Sequence, residues 1–130
     1  MDNWGLAQTP IDRNINAVTF DGNDTFVAVG DIGWAMYSTS QPVNNVQGAA
    51  GFYWYLTTSG EFENHDLNDV TYGGDNTFVA VGSEGLVIKA TLPFTQGQNW
   101  YAQEVLEGGG MIDFNSVIYT GAEFISVGSD

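Results

Sequence analysis

Residues 15–30 read INAVTFDGNDTFVAVG, and residues 67–82 read LNDVTYGGDNTFVAVG. Ten positions are identical, among them Asn16/Asn68, Val18/Val70, Thr19/Thr71, Gly22/Gly74 and the whole run from Thr25 to Gly30 against Thr77 to Gly82. A third copy, FNSVIYTGAEFISVG, occupies 114–128 and is one residue shorter in its turn. Asn16, Asn68 and Asn115 therefore mark a period of roughly 50 residues, and self-similarity at such a period is the signature of a repeat architecture.

Each copy predicts a hairpin. A short apolar strand, Asn16 to Phe20, runs into Asp21-Gly22-Asn23-Asp24 and then into the apolar strand from Phe26 to Val29. Asp, Asn and Gly admit the positive φ values that tight hairpins require. The second strand is apolar at every position, the pattern of a strand covered on both faces. It ends in Gly-x-x-Gly, Gly30 and Gly33 in the first copy and Gly82 and Gly85 in the second. Third strands are predicted at 34–38 and 86–90, and fourth strands are opened by Gly-x-x-Trp, at Gly51/Trp54 and Gly97/Trp100. Four antiparallel strands in each period match one blade of a β-propeller. The chain is thus expected to be all-β, a single repeat domain over 1–130, with hairpins at 15–30, 67–82 and 114–128. Two blades are complete, one has only its inner pair of strands, and Trp4 begins an orphan outer strand. Phe26, Val27, Val29, Phe78, Val79, Val81, Phe124, Ile125 and Val127 are expected to be buried in the central strands.

FVAVGDIGWAMYSTS and FVAVGSEGLVIKATLPFTQGQNW resemble the BNR/sialidase-type and photosystem II assembly factor-type propeller repeats. The resemblance spans nearly the whole chain and implies propeller architecture. It carries little about function, because such repeats serve unrelated roles. The Asp box of these repeats survives only in its second half, Gly51/Trp54 and Gly97/Trp100, with Ala49 and Thr95 where the Asp belongs.

Composition narrows the chemistry. The chain has 16 Asp and Glu against 2 Lys and Arg, a formal net charge of -14. Neutralising phosphates takes several basic side chains, and Arg13 and Lys89 are the whole supply, so nucleic acid and anionic membranes are excluded as partners. Sialidase chemistry needs an arginine cluster around the substrate carboxylate, which one arginine cannot form. With no cysteine and one histidine, His65, zinc and copper sites are not expected. A His65–Ser59 pair is conceivable as base and nucleophile, but a lone histidine in an acidic loop reads first as a surface residue. Calcium is the one metal the composition can serve, with Asp21, Asp24 and Asp75 as ligand candidates. Hairpin turns explain the same residues, so no cofactor is expected. Trp54 and Trp100 are candidates for stacking on sugar rings, although packing between sheets uses such aromatics equally well.

The unfinished third copy suggests the role. An open sheet exposes strand edges that pair with another chain, so Trp4, Phe124, Ile125 and Val127 are the candidate interaction residues. The expectation is a non-enzymatic structural or recognition module that acts through protein partners, as a homo-oligomer or within a larger particle. A virion component, such as a phage head, tail or fibre protein, or another extracellular assembly fits the absent cysteine and the acidic chain; a cytoplasmic location stays open. The alternatives are a glycan-binding, propeller-lectin-like module and an assembly factor.

Overall fold

A computed structural model of the chain describes residues 13–39, 54–58, 60–94, 99–103 and 112–129. The strands form three antiparallel sheets in chain order. The first contains β1 (Ile15–Phe20), β2 (Thr25–Gly30), β3 (Ala35–Thr39) and β4 (Tyr55–Leu56). The second contains β5 (Leu67–Tyr72), β6 (Thr77–Gly82), β7 (Val87–Thr91) and β8 (Trp100–Ala102). The third, among the described residues, contains β9 (Asp113–Tyr119) and β10 (Phe124–Ser129). The third strands begin one residue later than the sequence suggests, because Trp34 and Leu86 close the preceding turn. The segment from Trp4, the polar stretch 41–50 and Ser59 lie outside the described residues.

Identical sequence produces identical register. Val18 pairs with Ala28 and Phe20 with Phe26 in the first sheet; Val70 pairs with Ala80 and Tyr72 with Phe78 in the second. In all three hairpins the ladder slips by one at the repeated Asn, so Asn16, Asn68 and Asn115 each stand in a β-bulge. A bulge leaves one residue unpaired and re-aims its side chain, and the consequence is seen between the sheets.

The sheets pack face to face, with β1, β5 and β9 meeting in turn. Side chains alternate across each strand. Val27 and Val29 of β2 enter a core with Leu67, Val70, Phe78, Ala80, Ile88 and Trp100 of the second sheet. The next residues along the same strand point the other way. Val79 and Val81 of β6, one residue out of step with Phe78 and Ala80, meet Val117 and Phe114 of the third sheet. This explains why the second strand of the repeat is apolar on both faces: the middle sheet is sandwiched. Val27, Val29, Phe78, Val79 and Val81 are buried as the pattern requires, and Phe26 is half-buried, stacked on Phe20 with ring centroids 4.4 Å apart.

The third hairpin departs from expectation. Phe124, Ile125 and Val127 are exposed. Phe124 does face the second sheet, where its ring lies against Gly73 and 4.8 Å from the Tyr119 ring, but it stands at the end of the ladder. Ile125 and Val127 alternate to the far face, which no described residue covers. Their expected burial assumed a sheet on both sides, and the third sheet has one on one side only.

Candidate functional site

Two hydrogen bonds recur in both packed interfaces, and the second interface adds Asp69 Oδ2, which accepts the Val117 N–H at 2.8 Å and the Ser116 hydroxyl at 3.1 Å. From its bulge, the Asn16 side-chain amide donates to the Leu67 carbonyl at 2.8 Å, and Asn68 donates to the Phe114 carbonyl at 2.8 Å. Both acceptors immediately precede the bulge Asn of the next sheet. A second bond starts at the Gly-x-x-Gly turn, where Ile32 (φ 58°) and Glu84 (φ 54°) adopt left-handed backbone. Their N–H groups donate to Asp66 Oδ1 at 3.0 Å and to Asp113 Oδ1 at 2.8 Å. Asp66 and Asp113 each stand two residues before the bulge Asn of the receiving sheet. In the first sheet that position is Asn14, which donates to Asp31 Oδ2 at 2.9 Å, while Asn16 reaches Asp31 Oδ1 at 3.0 Å.

The outer strands add a third link. Trp100 is fully buried, and its indole N–H donates to Thr57 Oγ1 at 2.8 Å; that hydroxyl donates in turn to the Ala35 carbonyl at 3.1 Å. Trp54 occupies the matching place one repeat earlier, and its indole N–H is buried without a hydrogen-bond partner. A buried unsatisfied donor costs about 1–3 kcal/mol, so the two tryptophans differ in what surrounds them: Trp100 meets the Thr57 hydroxyl, and Trp54 meets no acceptor.

The apolar side chains tell the same story. Val70, which faces the preceding sheet, is 4% exposed, whereas Val18 at the same repeat position is 61% exposed. Ile15 and Phe20 are exposed beside it. At the opposite end Val81, which faces the following sheet, is 1% exposed and its counterpart Val127 is 61% exposed, with Ile118 and Ile125 alongside. The described part of the molecule therefore ends in two apolar strips of opposite kind: β1 presents a face that normally receives a preceding sheet, and β9–β10 presents one that normally receives a following sheet. Contiguous exposed apolar residues of this type are the usual mark of an interaction surface.

Other candidates fare differently. Asp21 Oδ1 accepts the N–H groups of Asn23, Asp24 and Thr25 at 2.8–3.0 Å, and Asp24 Oδ1 accepts the Thr25 hydroxyl at 2.8 Å. Both organise the first hairpin turn. Asp75 is exposed in the second turn at φ 51°. Among the described residues no group of three or more His, Cys, Asp or Glu side chains is arranged to hold a metal ion. Trp100 offers no face to a sugar, because its ring is sealed between sheets; this corrects its candidacy as a stacking platform. Trp54 is half-buried. His65 Nδ1 lies 3.3 Å from the Ser83 carbonyl and 3.8 Å from Glu84 Oε2, so the imidazole packs on the neighbouring turn. An open cleft of about 420 Å³ is walled by Arg13, Trp34, Leu56 and Glu63. Its described lining brings together one cation, one carboxylate and the Thr58 hydroxyl.

Sequence reasoning named Phe124, Ile125 and Val127 both as buried strand residues and as candidate interaction residues; it overlooked Ile15, Val18 and Phe20 and the linking roles of Asp66, Asp113 and the bulge asparagines. The signal was available: once the repeats are aligned, an amide or carboxylate recurs two residues before every repeated Asn. No helix among the described residues is long and apolar enough to cross a membrane. No family model, no curated protein and no solved structure matches the chain.

Proposed function

We propose that this chain is a non-enzymatic structural module, built of propeller-type blades, that works by docking its open sheet faces onto protein partners in a virion-type or other extracellular assembly. The observation that carries the reading is the pair of uncovered strips, Ile15/Val18/Phe20 and Ile118/Ile125/Val127: the counterparts of Val18 (Val70, Val117), Ile125 (Val27, Val79) and Val127 (Val29, Val81) are buried where a neighbouring sheet is present. Water-exposed valines at positions the repeat otherwise seals favour association, at roughly 25 cal/mol for each Å² of apolar surface covered. The blade reading is supported by the four-stranded antiparallel sheets, by the inner strands meeting in order, and by the recurring links from one sheet to the next. The virion-type setting is supported by an acidic chain without cysteine.

Gradient sedimentation of particles from the organism that encodes the chain tests the role. The chain is expected to co-sediment with a particle at fixed stoichiometry, and Val127→Asp is expected to release it. A chain that stays at the top of the gradient and instead retains a defined glycan on an array belongs to the lectin-like class.

A further inference from the structure

Resting on the proposed docking role, we propose that the partner on these faces is a second copy of this chain, joined head to tail, with β9–β10 of one copy packed on β1 of the next. The internal interfaces show two groups that a receiving sheet offers, and the first sheet has the first of them, with Asn14 in place of the carboxylate that is the second. A sheet on the receiving side offers the carbonyl just before its bulge Asn: Leu67 in the first interface and Phe114 in the second. In the first sheet that carbonyl belongs to Ile15. The donor that seeks it is Asn115, which occupies the same bulge as Asn16 and Asn68. Among the described residues, the Asn115 side-chain amide reaches the Ser129 hydroxyl at 3.5 Å, a long and weak bond. A second copy replaces it with the same amide-to-carbonyl bond, near 2.8 Å, that both internal interfaces contain.

Shape and polarity agree with this pairing. The described third sheet consists of β9 and β10, and this pair offers a face that matches the inner part of a neighbour. The first sheet is open over that inner part: Ile15, Val18 and Phe20 of β1 are exposed, whereas Ala28 and Met36 further out are already buried. Neither strip carries a charged side chain, so two strongly acidic copies meet without opposing like charges at the centre of contact. A heterologous contact makes a ring when its rotation closes. Three described sheets in each copy give six in a pair, within the 4–8 blades of closed propellers, so the expected product is a closed dimer.

The test is the mass of the full chain in solution, by sedimentation equilibrium across the micromolar range. A species of twice the 14.0 kDa chain mass is expected. Val18→Asp and Val127→Asp alter opposite faces at positions already 61% exposed in the chain, and circular dichroism establishes that each variant folds. Each is expected to weaken the dimer by about a hundredfold or more, since a buried unpaired carboxylate is strongly unfavourable. Mixing the two variants leaves one intact face on each, and a mixed dimer is expected to form. Two results overturn the proposal: a folded wild-type chain that stays monomeric, or a dimer broken by Val127→Asp and untouched by Val18→Asp, which means like faces pair. Either result leaves the particle sedimentation above as a separate test of the docking role.

Discussion

Gly30, Gly82 and Gly128 close the second strand in each repeat, and all three are held to glycine by one contact. A Cβ at any of them overlaps the backbone carbonyl oxygen of Asn14, Asp66 or Asp113 respectively. The crowding follows from the bulge, which brings the residue two before the repeated Asn close to the end of the partner strand. Backbone cannot swing aside as a flexible side chain does. Gly82→Ala is therefore expected to cost about 1–3 kcal/mol, the usual penalty of overpacking, read as a lower urea midpoint at unchanged slope. The tryptophans give a second test at this scale. Trp100 donates to Thr57, and Trp54 donates to nothing. Replacing each by Phe removes a satisfied donor in one case and an unsatisfied one in the other, so Trp100→Phe is expected to cost about 1–2 kcal/mol more than Trp54→Phe. In a Thr57→Val background the difference should shrink, and a double-mutant cycle measures that coupling.

At the scale of strands and sheets, the same side chain has different worth according to what covers it. Phe78 and Phe124 hold one repeat position, yet Phe78 is fully buried between two sheets and Phe124 stands exposed at the end of the third. Phe78→Ala is expected to cost ~3–5 kcal/mol as an emptied core site, whereas Phe124→Ala should cost about 1–2 kcal/mol for its smaller loss of buried area; parallel chemical denaturation of the two variants decides it. The hairpins, their turns and their order were legible in the sequence because they depend on local chemistry: Asp and Gly at the turn, unbroken apolar residues in β2 and β6, Gly at the close approach. Burial of the third hairpin was not legible. Ile125 and Val127 have the same apolar character as Val27 and Val29, and only the presence of a neighbouring sheet decides which pair is sealed. The links between sheets were hidden for a related reason. Asp66 and Asp113 look like ordinary loop acids until the packed structure brings the turn N–H groups of Ile32 and Glu84 onto them.

Over the whole molecule, electrostatics oppose the packing. A chain with 16 acidic and 2 basic side chains has almost no internal pairing available to offset its net charge of -14, and the His65–Glu84 contact at 3.8 Å is an ion pair only with a protonated imidazole. Folding gathers these carboxylates into a smaller volume than the unfolded chain occupies, so self-repulsion is greater in the folded state. Salt shortens the range of that repulsion, from about 30 Å at 0.01 M to about 8 Å at 0.15 M. The apolar core between the sheets is untouched by such modest salt, so the net effect of screening is stabilising. Raising NaCl from low to physiological strength is expected to lift the melting temperature by roughly 4 °C, equivalent to about 1 kcal/mol for a domain of this size. Association through the two apolar strips also grows as repulsion between copies is screened, and mass action makes that part depend on protein concentration. Calorimetric scans at two chain concentrations separate the parts: a rise common to both is intramolecular. Calcium provides the control. At matched ionic strength, low-millimolar calcium should add nothing beyond sodium; a distinct further rise, lost in Asp21→Asn or Asp75→Asn, would place a binding site in the hairpin turns.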